Sequence, residues 1–200
     1  QLDHPDLNVS SKSYDTETGR SPSQIWGNHG TACSGIISAK TNNNLGVAGI
    51  APNCPVMSIS NQLMGTSDAP QKRADGFNWA WRNGASVISN SWRASTFSEL
   101  LEDAIQSAMT NGRNGLGCVV TFSAGNYDSN TVGYPARSLP DIIVVGALSL
   151  SGKRKSSTTI DNEGWWGSDY GTQLDIMAPG VLIYTTDRTT RVRDYNDVTT

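Results

Sequence analysis

Apolar residues run through this chain in two rhythms, one with the spacing of a helix and one with that of a buried strand. Phe97, Leu100, Leu101, Ala104, Ile105, Ala108 and Met109 recur at steps of three and four, which draws one stripe along a helix. Thr96 and Glu99, three apart, read as a capping box at its start, and Gly112 reads as its close. A second helical pattern covers Ala74 to Asn83, with Phe77, Ala80 and Trp81 inward and Gly84 placed to end it. Between these patterns lie short apolar runs. Val56 to Ser60 and Ser86 to Ser89 read as strands, and Cys118 to Ser123 and Ile142 to Ala147 are continuous enough to predict strands covered on both faces. Alternation of this kind predicts an α/β fold, a doubly wound and mostly parallel sheet with helices on both faces. Working residues of such sheets lie at the carboxyl ends of strands, where Ser91 and Asn126 fall.

No internal repeat or low-complexity linker interrupts the pattern, so residues 1–200 read as a single domain. Hydrophobic content is 36% and charged content 16%, with abundant Gly, Ser, Thr and Asn, which suits a turn-rich globular protein. A net charge of −3 offers no basic face, so neither nucleic acid nor an anionic membrane is an expected partner. No apolar run approaches the roughly 20 residues that span a bilayer. Neither G-x-G-x-x-G nor a P-loop motif is present, which argues against a nucleotide, and no organic cofactor is expected. Cys33, Cys54 and Cys118 lack the paired spacing of a zinc site; three mostly buried free thiols, or one disulfide, are both open. Lys153-Arg154-Lys155 reads as a solvated loop, and Trp165-Trp166 has no reading from sequence.

Candidate chemistry enters at His29, in the run Asn28-His29-Gly30-Thr31-Ala32-Cys33-Ser34-Gly35, and at Asn126, where an apolar run halts on a bare amide. A histidine that moves protons and an amide that donates to an oxyanion are two parts of an acyl-transfer site. Taken singly, His29 reads as well as a hydrogen-bonded structural residue, and Asn126 as a turn residue. The Asn-rich stretch Lys40 to Val47 is either a plain turn or an oxygen-rich loop suited to Ca²⁺.

Six segments, in order along nearly the whole chain, resemble the subtilisin-like serine proteases. They are His29 to Gly35, Gly46 to Pro52, Ser89 to Trp92, Ser123 to Asn126, Val132 to Ala136 and Leu174 to Gly180. The resemblance implies His29 as general base and Asn126 as oxyanion donor. It implies substrate contacts from Ser91, Trp92 and Arg93, from Ser123, Ala124 and Gly125, and from Gly133 near a pocket floor. Residues Gln62 to Asp68 match the edge that pairs with extended substrate. Asp6 matches a calcium ligand, with Asn43, Leu45 and Val47 as its partners in a structural Ca²⁺ site, while His4 is taken as structural. Cys33 resembles a free thiol found beneath the histidine in the proteinase K and kexin branches.

The family's Asp-Thr/Ser-Gly turn and its Gly-Thr-Ser nucleophile motif are not found at their places, and Asp3 and Asp15 lack the former motif. The expectation is a domain incomplete at both ends, without the Asp-bearing strand and the Ser-bearing helix, and inert by itself. Gly65-Thr66-Ser67 mimics the nucleophile motif, but it comes before the oxyanion Asn, where the family's order forbids it. Arg93 also departs, since the family usually has Gly there; the side chain either crowds the first subsite, favours an acidic substrate residue, or points to solvent. The function expected is a serine endopeptidase acting on polypeptides as a monomer, secreted or at the cell surface. The alternative is a degenerate relative that kept the fold as a binding or scaffold protein.

Overall fold

A computed structural model describes residues 1–189. They fall into two compact units, the first formed by Gln1–Met64 with the segment from Tyr184, the second by Gly65–Ile183. Every pair of named strands runs parallel, as the doubly wound α/β class requires.

In the first unit, β1 (Val9–Asp15) pairs with β2 (Val56–Ser60), and α1 (His29–Ser38) lies between them in the chain. Nothing in the apolar pattern announces β1, because Ser10, Ser11, Lys12 and Ser13 interrupt it. Its far end is held instead by polar contacts. Asp15 is buried and accepts hydrogen bonds from the Trp26 indole (2.8 Å), the Ser60 hydroxyl (2.9 Å) and both the hydroxyl and N–H of Thr18. Burial pushes this carboxyl up, but those donors outweigh it and hold it below the ordinary range. Gly35 is where α1 needs a bare backbone, since a Cβ there would meet the Thr185 and Thr186 hydroxyls. Those hydroxyls donate to the Ala32 and Thr31 carbonyls of α1. Gly30, by contrast, has nothing near the position of a Cβ.

The second unit is built on four strands in the order β3 (Val87–Asn90), β4 (Val119–Ser123), β5 (Ile143–Leu148) and β6 (Ile176–Pro179). Two helices cover it, α2 (Ala69–Arg82) and α3 (Glu99–Gly115). Phe77 of α2, Leu101, Ala104, Ile105 and Ala108 of α3, and Val120, Phe122 and Val144 of the sheet form one buried cluster. Successive strand residues point to opposite faces, so Val119 and Ile143 lie on the other side, where they are exposed.

Two helix boundaries differ from the sequence reading. α2 starts at Ala69 rather than Ala74, because Pro70 is tolerated in a first turn that has no hydrogen-bond partner for its missing N–H. α3 is capped by Ser98 rather than Thr96: Ser98 is extended (φ −152°) and its hydroxyl accepts from Leu101 N–H. Phe97 therefore precedes the helix and is exposed, its ring 5.9 Å from that of Tyr134. The helical dihedrals of α3 break at Gly112 (ψ 161°), as read from the sequence, with Arg113 and Asn114 left-handed before the element closes at Gly115.

The basic run at 153–155 is a solvated loop only at Lys153, which is exposed. Lys155 is fully buried, its ammonium donating to the carbonyls of Ser156 (2.7 Å) and Glu163 (2.8 Å), to the Thr159 hydroxyl, and to Asp161 at 3.3 Å. The Trp166 ring lies 5.1 Å from the same ammonium, and its indole N–H donates to Glu163. All three cysteines are free, and of them only Cys118 is buried.

Candidate active site

His29 is the first residue of α1, with its side chain exposed. One turn on, the Cys33 sulfur lies 3.9 Å from Nδ1 and 3.8 Å from Nε2. This thiol contact favours the imidazolium and raises the His29 pKa above the ordinary imidazole value, against an opposing effect of partial desolvation. Among the described residues no carboxylate or hydroxyl hydrogen-bonds the ring. Asp15, one of two fully buried aspartates in this unit, is occupied by Trp26, Ser60 and Thr18.

Asp6 is the other. Its Oδ1 accepts from the Asn43 amide at 2.7 Å and its Oδ2 from Val47 N–H at 3.0 Å, while Asn43 Oδ1 accepts from Leu45 N–H. Asn42 and Asn44 take the left-handed conformation, which asparagine tolerates, and so curl the loop around the carboxylate. Gly46 (φ +47°) approaches Asp6 so closely that a Cβ would collide with Oδ2. The four residues expected to bind a cation are thus gathered at one place. The Asp6 carboxylate and the Asn43 side-chain oxygen are hard oxygen ligands of the kind that suits Ca²⁺, and here both accept N–H groups of the same loop. Among the described residues no group of three His, Cys, Asp or Glu side chains suits a transition metal. His4, buried beside this loop, accepts Asp6 N–H and contacts the Asp187 carbonyl, a structural role.

In the second unit the segments expected to bind substrate meet at the carboxyl ends of β3 and β4. Ala94 N–H donates to the Tyr134 carbonyl at 2.8 Å, and Gly133 N–H donates to the Ala124 carbonyl at 3.3 Å. Residues 91–93, 123–125 and 133 are thereby tied into one edge. Ser91 and Ser123 are exposed there and Ala124 is buried. Trp92 instead turns its ring into the core, edge-on to Phe122 with 5.1 Å between centroids. Asn126 follows β4 directly and is exposed.

Sequence reasoning missed what holds the Asn126 loop. Asp169 is fully buried, and its Oδ1 accepts from Tyr127 N–H (2.8 Å) and Ser129 N–H (2.9 Å), one on each side of Asp128. Among the described residues its Oδ2 has no hydrogen-bond partner, and it lies against Gly125 (φ +118°), where any Cβ would collide with it. Asp128 is fastened separately: Ser157 N–H and then Arg154 hold its carboxyl down at about 2. No motif marks Asp169 or Arg154, because both act on a loop distant in sequence.

The profile of the subtilase family matches residues 1–199. Subtilisin NAT of Bacillus subtilis subsp. natto and subtilisin E of Bacillus subtilis strain 168 are each 34% identical to this chain over 189 residues. Those alignments cover 92% of this chain and 45% of either relative. Subtilisin of Bacillus pumilus is 34% identical over 189 residues, with 62% of its length covered. The chain thus spans about half the length of the first two relatives.

Two outcomes are expected from this geometry. Replacing Cys33 by Ala removes the contact that raises His29 and leaves the desolvation that lowers it, so the His29 pKa falls; an NMR titration of its Cε1 proton reads the shift. Asp169→Ala leaves two backbone donors unmet and costs about 1.5–3 kcal/mol in urea unfolding. Asp169→Asn keeps a carbonyl oxygen for both donors and stays within about 1 kcal/mol of the parent chain.

Proposed function

The chain belongs to the subtilase family, and from that premise we propose that it is the central part of a serine endopeptidase catalytic domain. His29 is the general base: its imidazole takes the proton of a serine nucleophile and returns it to the leaving amine. Asn126 donates its side-chain amide to the oxyanion of the tetrahedral intermediate. The substrate is an extended polypeptide held by Ser91, Arg93 and the backbone of Trp92, by Ser123, Ala124 and Gly125, and over Gly133. The carrying observation is that these three segments are tied into one strand-end edge, beside an exposed Asn126. The same reading takes the protein to be a monomer, secreted or at the cell surface. Among the described residues no helix is long and apolar enough to cross a membrane.

As a 200-residue polypeptide the chain does not turn over peptides in this reading. Among the described residues Cys33 is the one hydrogen-bonding neighbour of His29, so no described carboxylate orients the base and no described hydroxyl is presented to it. Ser67 is no substitute. It sits in the turn that enters α2, where the Thr66 hydroxyl donates to Asp68 and Asp68 pairs with Lys72. That is the chemistry of a helix entry.

Ca²⁺ is the proposed structural ion, held by the Asp6 carboxylate, the Asn43 side-chain oxygen and the carbonyls of Leu45 and Val47. Such an ion supplies charge that ties the loop to Asp6, and takes no part in the reaction.

Calcium at a hundredfold excess over its Kd stabilises the folded chain by about 2.7 kcal/mol. For a chain of this size that raises Tm by roughly 5–10 °C. Asp6→Asn abolishes the rise, as thermal unfolding with and without EDTA shows. In the second experiment the full chain is offered a fluorophosphonate and, separately, an isotope-unlabelled extended peptide under NMR observation. The expected result is no covalent label, with peptide-induced shifts at residues 91–93, 123–125 and 133. Labelling of Ser67 overturns its assignment to a helix entry, and absence of any peptide shift overturns the peptidase reading in favour of a scaffold.

A further inference from the structure

Arg93 leaves the carboxyl end of β3 and lies across Gly133. Seen from the position a Gly133 Cβ would take, Arg93 Cβ is at 3.5 Å, Cδ at 3.8 Å and Nε at 3.9 Å. The guanidinium carbon then stands 4.1 Å over the ring of Tyr127, the residue after Asn126. Of the three fates open to Arg93, a side chain loose in solvent is therefore excluded. The arginine bridges two of the segments of the proposed substrate edge.

The manner of the bridge determines what it can bind. A guanidinium whose carbon lies over a ring is held there by cation–π attraction, which uses none of its N–H donors. Among the described residues no hydrogen bond or ion pair reaches Arg93; Tyr127 is its contact. The carboxylate nearest in sequence to that ring is Asp128, and it is already taken by Arg154 and by Ser157. Among the described residues, then, no carboxylate neutralises this fork of donors, which the Tyr127 ring holds above a glycine floor. Such a fork matches a carboxylate held by two parallel hydrogen bonds.

We propose that Arg93, fixed by Tyr127 over Gly133, makes the first acyl-side subsite selective for an acidic side chain. The inference rests on the peptidase reading, because it takes this edge to be the substrate edge. Arg93 is a specificity-determining residue in this view and takes no part in bond cleavage. A plain obstruction is the rival account, and it predicts a preference for small side chains without regard to charge.

The test measures binding of fluorescent peptide amides of the form acetyl-Ala-Ala-Pro-X-amide to the full chain by anisotropy, with X as Glu, Gln, Lys or Ala. Glu and Gln are nearly isosteric, so their ratio reads charge and not size. The parent chain is expected to prefer Glu over Gln by roughly fivefold, the scale of one partly exposed charge pair, and to disfavour Lys. That preference shrinks as salt is raised. Arg93→Gln brings the Glu/Gln ratio to about one and removes the discrimination against Lys. Equal binding of Glu and Gln, or Ala tightest of the four, overturns the inference and leaves the peptidase reading standing. Binding of none of the peptides overturns the reading, and the inference with it.

Discussion

A parallel sheet sends every strand out through the same edge, and the chemistry proposed for this protein hangs on that constraint. Val87 pairs with Val119 and Asn90 with Phe122, so β3 and β4 end level with one another. The loops that follow them carry Ser91 to Arg93 on one side and Asn126 to Asp128 on the other. Phe122 is fully buried one residue before β4 ends, stacked on Phe77 and met edge-on by Trp92. The core under the edge thus sets the position from which the reactive loops depart, and the side chains beyond it are free to differ.

Beyond the edge, the loops are shaped by buried polar groups more than by apolar packing. Asp169 gathers two backbone donors around the Asn126 loop, Lys155 gathers two carbonyls, a hydroxyl and a carboxylate, and Asp6 gathers an amide and a backbone N–H. Each is a charge that would be costly to bury alone and is tolerable because its partners are supplied together. The arrangement makes loop shape depend on single residues. Glycines where a partner approaches closely, Gly46 against Asp6 and Gly125 against Asp169, belong to the same devices.

How much of this was legible in sequence depended on the range of the interaction. The stripe of α3 was read correctly from Leu101, Ala104, Ile105 and Ala108, since helical spacing is a local property, and the strands around Val120 and Val144 were read for the same reason. The cap of α3 was misplaced by two residues because Thr96 and Ser98 are both competent, and backbone geometry chose between them. Strand β1 went unread because polar contacts to Thr18, Trp26 and Ser60 hold its end, and these leave no apolar alternation. Lys155 was taken for a surface residue because a lysine's burial is decided by partners that a local reading does not see.

By itself the sequence determined the family, the α/β class and the identity of His29 and Asn126 as its chemically distinctive residues, because these reside in short ordered motifs. It also drew attention to Arg93 as an arginine where glycine is usual. Tertiary structure decided what such residues touch: Cys33 beside His29, Asp169 beneath the Asn126 loop, and the Tyr127 ring under the Arg93 guanidinium. Hydrophobic periodicity is written into neighbouring positions and survives as a pattern. A hydrogen bond or a stacked cation joins residues far apart in the chain, and only the folded backbone brings them within reach.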